Sequence, residues 1–301
     1  MSCEMQSFKL ASALLLLLSG ISADQSLIHL VGAGLRVEIR PTQGGRISSF
    51  TLNGKEVLIT PETEAGRFVF GNSFWTAPQS VWNWPPPKAH DETGYRITQQ
   101  SKNSIQLSGS TDSLTGIRMT KEIRLNLQDT SLTVSCTYVN ASNKPQTFAP
   151  WEISRSPKGG VVFWPKSRTV RSMRFPFTPD VSADGTQWYT IPAQKLEGQG
   201  VKLNVDLSAG WQAYAYNGLL FIKTFQDQQT ADLCPGEGDA ELYVSPVYDY
   251  IELEETGRYQ TVSPGQSVHF ETRWYVRAIL PSVPIQTKSG ALLAMVRRLV
   301  R

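Results

Sequence analysis

Between Gly116 and Gln128 the chain reads GIRMTKEIRLNLQ, and its side chains alternate in character. Ile117, Met119, Ile123, Leu125 and Leu127 fall on one face, and Arg118, Thr120, Glu122, Arg124 and Asn126 on the other. Successive side chains of an extended chain point to opposite faces, so this spacing predicts a long strand with one face buried. After a turn near Gln128-Asp129-Thr130, Leu132, Val134, Cys136 and Tyr138 again share a face, which predicts an antiparallel hairpin. The same period recurs at both ends. Leu35, Val37 and Ile39 alternate with Arg36, Glu38 and Arg40. Val268, Phe270, Trp274 and Val276 alternate with His269, Glu271, Arg273, Tyr275 and Arg277. Asn53-Gly54, between Ile47–Leu52 and Val57–Ile59, is the dipeptide of a tight hairpin turn. Gly and Pro punctuate the chain throughout, with no internal repeat and no break in composition. These features predict an all-β fold of large antiparallel sheets forming one domain over residues 24–288. Residues 289–301 read as a short basic tail, a solvated helix end. Arg174 to Gly200, rich in Pro and Gly, reads as a long excursion over one face.

The first 23 residues read as a signal peptide: Lys9 precedes the apolar run ASALLLLLSGISA, which ends at Ala23. The run Ala11 to Leu18 is too short to span a bilayer. The expected location is therefore secreted or periplasmic; an uncleaved N-terminal anchor is the other reading. With a formal charge of +3 and 18% charged residues, the chain has no basic stripe that would suit nucleic acid. No metal-spaced His/Cys cluster, phosphate loop or nucleophile elbow is present, so neither a metal nor a cofactor is expected. A monomer is expected. Cys136 and Cys234 would remain after processing, either paired or as buried thiols.

The segment GNSFWTAPQSVWNWPPP, Gly71 to Pro87, carries three of the eight tryptophans. It reads either as a plug under the sheet or as a stiff aromatic surface for a flat polar ligand. An indole offers an apolar face and one N–H, which matches the C–H face and hydroxyl rim of a pyranose. Prolines fix the backbone and reduce the entropy lost on binding. Trp75 and Trp82 are the candidate sugar platform, whereas Trp84-Pro85 reads as packing. Asn72, Gln79 and Asn83 lie close by and can bond hydroxyls.

Three further stretches carry a family resemblance. GGRISSFTLNGKEVL (Gly44 to Leu58), TKEIRLNLQDTSLTVSCTYVNASNKPQ and YIELEETGRYQTVSPGQSVHFETRWYV (Tyr250 to Val276) resemble, in that order, the opening strands, central hairpin and closing strands of galactose-mutarotase-like proteins. With the tryptophan segment and APWEIS, the chain looks similar to the domain-of-unknown-function 4380 group. The resemblance covers most of residues 27–280. It implies a β-supersandwich whose concave polar face binds a mono- or oligosaccharide. It also implies that Asn72 takes the asparagine role of the early loop and that Arg46 or Arg67 supplies its cation.

Mutarotation needs a base for the anomeric hydroxyl and an acid for the ring oxygen, with no cofactor. The resemblance places the base on a late strand, where Tyr250, Glu252 and Glu254 share a face. Glu254 fits the family position better than Glu252. Two carboxylates there repel, which would raise a pKa. The resemblance places the acid on a middle strand as a histidine, but this chain reads FAPWEIS there, with Trp151 and Glu152. Glu152 could replace the acid if burial kept it protonated. His90, after the tryptophan cluster, could swing into the site, and His269 lies on a polar strand face. Three functions stay open: an aldose mutarotase or epimerase with Glu254 as base, a carbohydrate-binding protein that has lost catalysis, and a glycoside hydrolase or polysaccharide lyase.

Overall fold

The alternating segment Ile117–Asn126 is a strand with every odd position buried, and it pairs antiparallel with Ser131–Asn140 around the expected turn. The strand stops at Asn126, so Leu127 lies beyond the pleat and is exposed rather than on the apolar face. Lys121 takes the inward position that the pattern left blank, and its Nζ donates to the Gly44 carbonyl at 2.5 Å. The computed structural model describes residues 27–173, 176–198 and 200–300. The expected signal peptide lies outside them.

Among the described residues the strands form three antiparallel sheets. The largest has ten strands in the order Asp180–Val181, Gln187–Thr190, Val161–Trp164, Trp211–Tyr216, Leu219–Phe225, Ser267–Ala278, Ser131–Asn140, Ile117–Asn126, Ser104–Thr111, Arg96–Gln100. Its first two strands come from the Arg174 to Gly200 excursion, so part of that segment extends the sheet rather than crossing it. The second sheet runs Ser167–Met173, Val201–Leu207, Ala240–Val244, Tyr250–Thr256, Gln146–Pro157, Gln260–Val262, and Asn72–Ala77 also pairs with Gln146–Pro157. Ile28–Gly32, Leu35–Arg40, Arg46–Leu52 and Lys55–Glu56 make a four-stranded sheet. Its Asn53-Gly54 turn has both residues at positive φ, 49° and 79°.

One apolar core joins the three sheets. Ile123, Val134 and Trp274 come from the ten-stranded sheet, Leu203, Leu242 and Leu253 from the second, and Val37 and Phe50 from the third. Burying alternate residues on each strand drives the sheets together. The outer face of the ten-stranded sheet is covered as well. Gly290–Arg297 is a helix capped by Ser289, and Leu292, Leu293 and Val296 pack with Trp188, Leu220 and Ile222. The tail is thus a packed amphipathic helix, and only its basic side is solvated. Cys136 and Cys234 are both free and buried.

A charged cluster interrupts the core. The Lys223 ammonium, fully buried, pairs with Glu152 at 2.5 Å and with Glu255, and donates to Ser154 Oγ at 2.9 Å and the Leu253 carbonyl at 3.1 Å. It bridges from the ten-stranded sheet to the facing side of the second sheet.

Candidate functional site

The opposite side of the second sheet is polar. On Tyr250–Thr256 the pleat sends Ile251, Leu253 and Glu255 to the core and Tyr250, Glu252 and Glu254 outward. Antiparallel pairing then fixes their neighbours. Glu254 lies opposite Glu241 on one side, and Glu252 lies between Tyr243 and Arg155. Lys202 extends that row beyond Tyr243. Trp151 and Trp75 face each other one row further along.

Apart from Arg155, which is fully buried, these side chains line a cavity of about 600 Å³. The indoles of Trp75, Trp84 and Trp151 wall one end, with Gln79 beside them. Tyr243 and Tyr250 lie toward the other end, and Lys202, Glu241, Glu252 and Glu254 between. Gly200 leaves room for Tyr243 on the wall, since a Cβ there would come within 2.4 Å of the Tyr243 hydroxyl and force that side chain to shift.

Three carboxyls in one cavity do not share one environment. Arg155 Nε donates to Glu252 Oε1 at 2.8 Å, and the Lys202 ammonium stands 2.7 Å from Glu241 Oε1. Glu254 has a neutral partner: Trp151 Nε1 donates to its Oε2 at 2.6 Å. Burial, then the charges of Glu241 and Glu252, push the Glu254 carboxyl well above the usual carboxylate range. Burial also raises Glu252, since Arg155 offsets only part of it. Burial lowers the affinity of Lys202 for its proton, but Glu241 and Glu254 outweigh it and keep the ammonium charged. Lys202 also sits 5.2 Å over the Trp151 ring, and Arg155 5.5 Å over that of Trp75.

A second layer holds the indoles. Trp75 Nε1 donates to Asp91 Oδ1 at 2.9 Å, and Arg46 pairs with Asp91 Oδ2 at 2.5 Å. Burial works against the Asp91 charge, but Arg46 and Arg155 hold its carboxyl below the usual range. Trp75 meets Trp82, Trp84 and Trp151 edge-on, with centroids 5.2 to 6.0 Å apart. Asn83 takes a left-handed backbone (φ 58°), which lets the chain turn Trp82 inward and Trp84 outward.

Several expected site residues lie elsewhere. Glu152 is one position out of phase with Trp151, so the pleat sends it to the core and Lys223. It cannot be the acid of this cavity. His90 is fully buried, with Nε2 3.2 Å from the Ile117 carbonyl, and does not swing into the site. Asn72 spends its side-chain oxygen on the Ile47 N–H at 2.9 Å. Arg46 acts through Asp91, and Arg67 ends a short 3-10 helix, is exposed and does not line the cavity. Trp82 packs against Trp75 and Trp151, bonds the Thr76 carbonyl at 2.8 Å, and supports the wall without lining it. Glu254, Glu252, Trp75, Gln79 and Trp151 do line the cavity. Trp84, read as packing, is 63% exposed at its mouth. Lys202, Glu241 and Tyr243 were missed by sequence reasoning. Their signal was alternation in VKLNVDL and AELYV, which marks a polar face but not a concave one.

The buried acids predict a pH effect on stability. Burial raises Glu237 and Asp239 to about 7, and raises Glu252, Glu254 and Glu255 above their ordinary value. A carboxyl whose pKa is higher folded than unfolded stabilises fully below its unfolded pKa, and that contribution is lost as pH rises through the folded value. His90 and Lys121, both lowered by burial, Lys121 to about 8, have the opposite sign on acidification but are two groups against five carboxyls. Asp91 loses its contribution only at pH below its ordinary value. The melting temperature is therefore expected to be higher at pH 5 than at pH 8. A lower value at pH 5 would show that these carboxyls are solvated.

Among the described residues no group of three His, Cys, Asp or Glu side chains could hold a metal ion, and no helix is long and apolar enough to cross a membrane. Comparison with known proteins gives the same fold. A galactose mutarotase-like protein from Lactobacillus casei aligns with a TM-score of 0.53 and 13% identity, over 84% of this chain and 100% of that one. A galactose mutarotase related enzyme from Lactobacillus acidophilus aligns at 0.57 and 10%, over 85% and 99%. A TPR-domain containing protein from Parabacteroides distasonis aligns at 0.59 and 16%, over 88% of this chain and 50% of that one. The fold is thus the mutarotase-like β-supersandwich. No curated protein matches the chain in sequence. The family model described as a domain of unknown function (DUF4380) matches residues 26–277, and the chain belongs to that family.

Proposed function

We propose that this DUF4380 protein binds a saccharide in the indole-walled cavity and exchanges protons at its anomeric centre, as an aldose mutarotase or epimerase. The observation that carries the proposal is Glu254: a buried carboxyl bonded to an indole N–H, beside Glu241, which has a lysine. With its charge disfavoured by burial, Glu254 serves as the acid rather than the base expected from the sequence, and gives its proton to the ring oxygen as the bond from that oxygen to the anomeric carbon breaks. Glu241, in its ion pair with Lys202, takes the proton of the anomeric hydroxyl, and the ring opens to the aldehyde. Rotation about the bond to that carbon and the reverse transfers close the ring on the other face. The protein ends as it began. Two neighbouring carboxyls that share a proton can serve as acid and base together, and the histidine expected from the family is then not required.

The test is anomer exchange of a panel of aldoses and uronic acids, followed by polarimetry or NMR exchange. Acceleration of at least one is expected, and no acceleration of any would refute the catalytic reading. Trp84→Ala is expected to weaken sugar binding about tenfold with unchanged melting, because the indole is mostly exposed and its loss removes one stacking face. Calorimetric titration checks this, and an unchanged Kd would remove Trp84 from the site.

A binding protein without turnover is the second reading. It is favoured by the placement of all three described histidines, His29, His90 and His269, away from the cavity wall. Titration showing binding with no exchange would select it. Release of new reducing ends from polysaccharides would instead select a hydrolase, and unsaturated products a lyase.

A further inference from the structure

The aromatic surface does not stop at the cavity. Phe68 stacks on Tyr248, centroids 5.3 Å apart and planes 25° apart, while remaining 66% exposed. Tyr248 packs against the small cluster of Ile59, Ala65 and Tyr250, and Tyr250 lines the cavity, so the stack continues the cavity wall onto the surface. An exposed phenyl ring stacked on a half-buried tyrosine and contiguous with a ligand cleft marks a contact surface.

Strand geometry says how far away that surface is. Trp151 shares the cavity face of its strand with Pro157, which lies opposite Tyr250. Six residues of strand separate the two, about 20 Å at the usual rise. The three indoles thus wall one end, the carboxyls lie along the middle, and Tyr250, Tyr248 and Phe68 continue the other end. One hexose with its anomeric carbon at Glu254, beside the indoles, cannot reach Phe68.

We propose that the ligand is an oligosaccharide. Its reducing-end sugar would lie over the carboxyls with its anomeric carbon at Glu254, toward the indoles, and the following sugars, linked through the opposite side of that ring, would run past Glu252 and Tyr250 to stack on Phe68 and Tyr248. This deepens the saccharide reading and rests on it. Sugar C–H faces meet aromatic faces along the whole path, and the hydroxyl rims meet Glu252, Tyr243 and Tyr250. The binding energy of the distant sugars would hold the reducing end in register with Glu254 and Glu241.

The experiment titrates the full chain with glucose, mannose, xylose and galactose, and with the β-1,4-linked tetrasaccharide of each. At least one tetrasaccharide is expected to bind about tenfold or more tighter than its own monosaccharide. Phe68→Ala should abolish that advantage and leave monosaccharide affinity unchanged, since Phe68 touches no residue of the carboxyl group. Tyr248→Leu, which keeps apolar packing beneath the ring, should do the same. Binding of monosaccharides and tetrasaccharides with equal affinity would overturn the chain-length proposal while leaving the saccharide reading intact. So would a Phe68→Ala variant that keeps the full advantage, or one that changes only self-association in sedimentation. If no sugar of either length binds, the saccharide reading itself fails, and this proposal fails with it.

Discussion

Glu254→Gln is expected to slow anomer exchange by roughly 10²- to 10⁴-fold, the usual worth of a positioned acid or base. Glutamine keeps the shape of the side chain, and its carbonyl oxygen can still accept the Trp151 N–H that Glu254 accepts at 2.6 Å. It has no proton to give at the ring oxygen. Because burial and two neighbouring acids disfavour the Glu254 charge, a neutral amide there should leave melting unchanged or slightly higher. Sugar affinity should change little. Glu241→Gln should lose exchange to a similar degree, but it also strips Lys202 of its partner. The double variant should be no slower than the worse single variant, because two groups that share one proton act as a unit. The wild-type rate should fall as pH rises through the elevated Glu254 value, since the acid form is lost there. A Glu254→Gln protein that folds, binds sugar and exchanges anomers at the wild-type rate would remove Glu254 from the chemistry. Circular dichroism and the melting curve separate that outcome from loss of the fold.

Lys223→Met is expected to cost about 3–5 kcal/mol at neutral pH, the range for breaking a buried ion pair from one side. The lysine is fully buried against Glu152 and Glu255. Methionine fills much of the same volume, but it leaves two carboxyls facing each other between the sheets. At this chain length such a loss lowers the melting temperature by on the order of 10 °C. The deficit should shrink on acidification. Burial already lifts Glu255 well above the usual range despite Lys223, so its neutral form is the one the core tolerates as pH falls. Lys223→Met with Glu152→Gln and Glu255→Gln should recover most of the loss, because no charge then remains unpaired. A single Lys223→Met variant that melts like the wild type at pH 8 would show that the cluster is not buried as described. The cluster also bears on the site. Gln212 Nε2 donates to the Glu254 carbonyl at 3.0 Å and to Glu255 Oε1 at 2.5 Å, so the strand that aims Glu254 is held from the core side. Lys223→Met should therefore lower kcat even at temperatures where the protein remains folded.

The alternation in GIRMTKEIRLNLQ, the Asn53-Gly54 turn and the strand YIELEE was enough to predict antiparallel sheets and to put Glu252 and Glu254 together on one face. A period of two is a local property of the chain, and each strand carries it without its partners. Periodicity also contained the case against Glu152, which is out of phase with Trp151 on the same strand.

What the sequence by itself determined is therefore the strand faces, the turns and the family-like order of the segments. Tertiary structure alone decided which polar face closes into a cavity, and that Lys202, Glu241 and Tyr243 stand on it with Glu254. It alone turned Trp84 outward and Trp82 inward. Lys121 stood in phase with Met119 and Ile123, so its inward place was legible, but Lys223 was invisible as a core residue. Lys223 lies in LLFIKTF, on a strand covered on both sides, where alternation disappears. The physical reason is common to all of these. Alternation separates one face of a strand from the other, but pairing across strands distant in sequence, and the packing of one sheet on another, determines what each face meets.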